Sequence, residues 1–143
     1  MFAQPTQKPM HCLVSAAMVL TLAGVCAAPM AFAKVVVNTI DAVAIVADNG
    51  RHIVVTGPIA CTAPERAYLQ VTVSQRATGA VAEGRTLITC TGVIQQWEVH
   101  ASTQGNETFD AGPATAVAIA RTTSRGETTD AHQWLVNITL VGE

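Results

Sequence analysis

After residue 33 the chain sustains no helical period; it switches every few residues between short runs rich in Val, Thr, Ile and Ala and small clusters of turn formers. Side chains return to the same face every second residue in a strand, and every three to four in a helix. Residues 67–75 follow the first rule cleanly, with Leu69, Val71 and Val73 alternating with Tyr68, Gln70, Thr72 and Ser74. Residues 96–102 repeat it, placing Trp97, Val99 and Ala101 inward and Glu98 and His100 outward. Such alternation predicts strands with one buried and one wet face.

The same reading extends along the chain. Residues 40–47 and 51–56 are expected strands joined by a hairpin at Asp48-Asn49-Gly50, because Asn and Gly tolerate positive φ. Gly57-Pro58 predicts a bulge or kink before Ile59, Ala60 and Cys61. Residues 85–90 make a further strand. Residues 114–121 make another, with Val117 and Ile119 expected inward, and residues 132–141 the last, with Trp134, Val136, Ile138 and Leu140 on one face. Residues 103–113 and 122–131 read as long polar loops. The expected fold is therefore all-β, an immunoglobulin-like antiparallel β-sandwich of about seven strands. A small barrel is the alternative, since strand number does not separate the two.

Residues 1–33 read differently. A polar start carrying Lys8 precedes an uncharged apolar run from Leu13 to Leu22, and Ala31-Phe32-Ala33 has the small-x-small form of a signal-peptidase site. The expectation is an N-terminal signal helix cleaved after Ala33, or alternatively after Ala28, leaving residues 34–143 as a secreted domain. An uncleaved envelope anchor is the alternative. Leu22-Ala23-Gly24-Val25-Cys26 resembles a lipobox, but Val25 stands where Gly or Ala belongs.

Without that segment the chain carries seven basic and ten acidic side chains, the basic ones scattered from Lys34 to Arg125. The scatter removes the electrostatic footprint of a nucleic-acid binder and of a polybasic membrane anchor. Two cysteines, Cys61 and Cys90, remain outside the signal. In an exported chain an even count reads as one disulfide, and no CxxC or nearby His pair supports a metal or redox alternative.

No pattern calls for catalysis or a cofactor. His52, His100 and His132 fall on different expected strands without ligand spacing. Glu98 with Asp110 or Glu107 is the one carboxylate pairing to weigh for hydrolysis, and no G-x-S-x-G occurs. The expected role is a non-enzymatic binding module for an extracellular protein or carbohydrate, monomeric or weakly self-associating. It would use the two long loops, with Asn106, Phe109, Asp110 and Arg125 as candidate contacts. Phe109 alone among them is apolar, and reads as a plug for one end of the fold. The alternative is an assembly subunit that pairs through an exposed edge at residues 114–120.

One resemblance accompanies this reading. Gly57 and Cys61, the run from Val71 to Gln75, Cys90-Thr91-Gly92 with Trp97 and Val99, and Gly112 with Ala114 form a spaced series. It resembles small secreted bacterial β-sandwich proteins of unknown function that carry a C-x-G-x4-W segment. The resemblance implies export, a paired disulfide and a β-rich domain, and implies no activity.

Overall fold

A computed structural model of the chain describes residues 35–143. The expected signal helix, its cleavage sites and the lipobox-like stretch ending at Cys26 lie outside the described residues. Eight strands follow one another: β1 (Val35–Asn38), β2 (Val43–Ala47), β3 (His52–Cys61), β4 (Arg66–Ser74), β5 (Val81–Thr89), β6 (Gln95–Thr103), β7 (Gly112–Ser124) and β8 (Glu127–Gly142). A single 3-10 turn, Asp48–Gly50, joins β2 to β3, with positive φ at all three residues.

The sandwich expectation is overturned. The strands run β3-β2-β8-β7-β4-β5-β6, and β6 pairs back onto β3, so the sheet closes into a seven-stranded barrel with β1 added against the end of β3. Closure rests on eight register pairs, from His52 opposite Ser102 to Ile59 opposite Gln95. A ring of antiparallel pairs needs an even number of strands; seven force one parallel pair. It falls between β2 and β8, where Val43 to Val46 lie beside Thr139 to Gly142. Strand count and spacing are the same in a sandwich and in this barrel. The difference lies in the long-range pairing of β3 with β6 and of β2 with β8, which no local pattern encodes.

Small barrels fill their interior with side chains, and β4 and β6 do so as their alternation predicts. Leu69, Val71, Val73, Trp97, Val99 and Ala101 are all buried. The register of β7 is the reverse of the expected one. Ala114, Ala116, Ala118 and Ala120 point inward, whereas Val117 and Ile119 stand half-buried on the outer face. Both faces of this strand are apolar, so its own period cannot choose between them. The neighbours choose: β7 lies directly against β4, with Ala118 opposite Val71 and Ala120 opposite Leu69, and where those branched residues fill the lumen only a methyl group fits.

Three further expectations are corrected. Residues 114–120 are no edge, because β7 is paired along its length with β4 on one side and β8 on the other. Residues 122–131 are no loop; β7 and β8 run on to a two-residue turn at Arg125-Gly126. Gly57-Pro58 does not break its strand. Gly57 sits opposite Trp97 in the ladder, and a Cβ there would stand 2.7 Å from Trp97 Cζ2. The glycine makes room for the indole, whose Nε1 donates to the Pro58 carbonyl at 3.3 Å.

Gly84 serves a similar purpose. β5 and β6 pair only at Ala82–Thr103 and Glu83–Ser102 before they part, and at that crossing a Cβ on Gly84 would lie 2.6 Å from Val99 Cγ1 and 2.8 Å from Ala101 Cα. Backbone cannot move aside as a flexible side chain can. Gly84→Ala is expected to lower unfolding free energy by about 2 kcal/mol or more, while Gly105→Ala, with nothing within 4 Å, stays within about 0.5 kcal/mol. Urea denaturation of the two variants checks this.

Candidate functional site

The loop between β6 and β7 is held from within. Gln75, only 2% exposed, grips the backbone of Asp110 at both ends of its amide. Its Nε2 donates to the Asp110 carbonyl and its Oε1 accepts from the Asp110 N–H, each at 2.9 Å. Thr78 Oγ1 donates to the same Oε1 at 3.1 Å. One residue earlier, the Phe109 N–H donates to the Gly50 carbonyl at 2.9 Å, and the phenyl ring is buried in the core.

The four candidate contacts are therefore not one site. Phe109 is interior. Asn106 and the Asp110 carboxylate are exposed on the same loop. Arg125 is exposed in the β7–β8 turn, at the opposite end of the barrel, where Arg66 faces Thr123 and Ser124 faces Glu127. The weighed carboxylates are also apart. Glu98 stands partway along the wall on β6, opposite Thr56, while Asp110 and Glu107 lie beyond the strand ends.

The Arg125 end contains a different arrangement. Because β5 and β6 part after Glu83, the chain that joins them, residues 90–94, needs other support. Cys61 and Cys90 form a disulfide with a Cα separation of 5.2 Å, and both residues are buried. The Cys90 N–H donates to the Glu65 carbonyl at 2.8 Å and the Gly92 N–H to the Cys61 carbonyl at 3.2 Å. Gln95 closes the loop on itself: its Oε1 accepts from the Thr91 N–H at 3.0 Å and the Thr91 hydroxyl at 2.8 Å, and its Nε2 donates to the Thr89 carbonyl at 3.0 Å. Gly92 takes φ +82, a left-handed conformation that favours glycine.

This fixed loop holds two β-branched residues out into solvent. Val93 is 65% exposed and Ile94 62% exposed, more than nearly every other large apolar side chain among the described residues. Covering such a side chain fully is worth about 1.5–3 kcal/mol, and a rigid presentation loses little entropy on binding. Scattered exposed apolar residues are ordinary; an adjacent pair on a loop braced by a disulfide and a side-chain clamp is a built feature. Sequence alone does not single it out, because Thr91-Gly92 is also an ordinary turn pair. The available signal was two aliphatic residues where a turn normally places polar ones.

Beside the tip, Pro64, Glu65 and Arg66 face Thr123 to Gly126 across a groove of about 570 Å³. The register shift at Thr122/Thr123 releases Thr129 from the ladder, and its hydroxyl donates to Glu65 Oε2 at 2.9 Å and lies 2.9 Å from the buried Thr122 hydroxyl. Such a bulge re-aims one side chain without breaking the sheet. Among the described residues no three His, Cys, Asp or Glu side chains gather as a metal site.

No protein-family model matches the chain, and no curated protein matches it in sequence.

The brace is separable from the barrel. Gln95→Ala is expected to speed hydrogen exchange at the Thr91 amide about fivefold, the equivalent of one lost hydrogen bond of about 1 kcal/mol, with the protection of β4 unchanged. Replacing both cysteines, in Cys61→Ala/Cys90→Ala, is expected to lower unfolding free energy by about 3–4 kcal/mol for a separation of 29 residues, read by urea denaturation.

Proposed function

We propose that this protein is an exported binding module that engages an extracellular protein through the β5–β6 tip, with Val93 and Ile94 as its apolar anchors. The observation that carries the reading is the rigid exposure of that pair beside the Cys61–Cys90 disulfide. The disulfide is compatible with an oxidising, extracellular setting, and the signal-like residues 1–33 agree with it.

A protein partner suits the tip better than a carbohydrate. Sugar rings stack on exposed aromatic faces, whereas Trp97 and Phe109 are buried, and Tyr68 and Trp134 are half-buried. Aliphatic anchors instead fill apolar pockets, and the exposed Arg66 and Arg125 nearby provide the polar rim that such contacts commonly have.

A second reading, assembly by strand addition, draws on β8 in place of the β7 segment first considered. Among the described residues, β8 upstream of Thr139 is paired only with β7. Its other edge approaches β1 through a bond from the Val35 N–H to Asp130 Oδ2 at 3.2 Å. The indole N–H of Trp134 on this stretch is buried without a hydrogen-bond acceptor among the described residues.

A photoreactive side chain placed at position 94 is expected to trap one discrete extracellular protein in the producing culture. The same probe at position 105, at the other end of the barrel, traps none. Adding Val93→Asp abolishes the adduct while the melting temperature holds. Equal labelling from both positions rejects the tip as the binding element. An adduct of the chain with itself, growing with concentration, favours the assembly reading.

A further inference from the structure

His52 and His100 are far apart in sequence, and the closing ladder of the barrel brings them together. Ser102 stands opposite His52 and Val54 opposite His100, so the two histidines are diagonal neighbours on the outer wall. Their inward-pointing neighbours, Ile53, Val55, Val99 and Ala101, are buried, which fixes both imidazoles on the same outer face. The ring centroids are 5.5 Å apart and the planes are tilted by 44°. With metal–nitrogen bonds of about 2.0–2.1 Å, two imidazoles on one tetrahedral ion place their centroids roughly 5 Å apart, and wider angles open this to about 6 Å. The observed spacing falls within that range.

Each ring also has a partner for one of its nitrogens. His100 Nε2 lies 2.8 Å from Glu98 Oε1. A carboxylate at that nitrogen holds the proton there and leaves the lone pair on Nδ1, the arrangement by which an outer carboxylate orients a metal-binding histidine. His52 Nδ1 lies 3.4 Å from the Ser102 hydroxyl; with the hydroxyl oxygen accepting, the free lone pair is on Nε2. Both histidines sit on strands locked by the eight register pairs of β3 and β6, so their backbone positions are set before an ion arrives.

We propose that His52 and His100 form a two-histidine surface site for a borderline divalent transition metal such as Zn²⁺ or Cu²⁺. Glu98 is the positioning partner of His100, and water completes the coordination. The absence of a third gathered protein ligand among the described residues makes the site open and exchangeable, unlike the closed four-ligand sites that hold structural zinc. Imidazole ligands favour zinc and copper over the harder magnesium and calcium.

The test is a Zn²⁺ titration of the full chain, reading the imidazole signals of each histidine by nitrogen-resolved NMR. His52 and His100 are expected to shift together and saturate at one ion, while His132, which lies against Trp134, does not move. His52→Ala weakens the His100 response at least about tenfold, and Glu98→Gln weakens binding about tenfold while both histidines still respond. Mg²⁺ at the same concentration moves neither. A His100 response unchanged in His52→Ala overturns the shared site, as does equal weakening by His132→Ala or a shift that never saturates. Unchanged near-ultraviolet circular dichroism of each variant shows that a lost response is not lost folding.

Discussion

The pairing of β3 with β6 is the contact on which the rest of the molecule depends. It turns a sheet with two open edges into a ring, and at its centre Gly57 lies under the indole of Trp97. Any side chain at position 57 would lift the indole from the ladder, and with it the alignment of Val99 and Ala101 in the lumen. Ring closure with seven strands then requires a parallel pair, which β2 and β8 supply. Edges are a liability in open sheets because they expose unpaired backbone groups; among the described residues of the ring, one-sided pairing remains along β8 upstream of Thr139 and where β5 and β6 part beyond Glu83 and Ser102.

The same geometry creates the proposed binding tip. Gly84 lets β5 cross close over β6, and beyond that crossing the two strands separate. Separation leaves their connection without ladder hydrogen bonds, and the disulfide, the Glu65 and Cys61 carbonyls and the Gln95 amide replace them. A loop stiffened this way can keep Val93 and Ile94 in solvent without collapsing onto the barrel. Stability and the proposed recognition are thus joined at one end, while the Gln75 clamp and the buried Phe109 close the other.

Legibility in the sequence followed the contrast between the two faces of each strand. β4 and β6 alternate apolar with polar residues, and their inward sets were readable residue by residue. β7 carries Ala on one face and Val or Ile on the other, so hydrophobicity pointed to the larger residues, and the crowded lumen selected the smaller. Residues 122–131 look like a loop because Thr, Ser, Glu and Asp dominate them; pairing of the end of β7 with the start of β8 gives their backbone partners regardless of side-chain polarity. The Gly57-Pro58 pair looked like a break, yet its meaning was steric and lay 40 residues away at Trp97. The candidate contacts fall on residues 103–113 and 122–131, whereas the exposed aliphatic pair, Val93 and Ile94, stands on the shorter β5–β6 connection.

By itself the sequence determined that the domain is built of β-strands, where most of them turn, which faces of β4 and β6 are buried, and which two cysteines bond. These follow from local properties: period, turn chemistry and the presence of two thiols beyond residue 33. Only the tertiary structure decided that the strands form a barrel, which face of β7 looks inward, that Val93 and Ile94 are held outward, and that His52 meets His100. Each of these depends on which distant strand becomes a neighbour and in what register, and that choice is made by the fit of all the side chains in one shared interior.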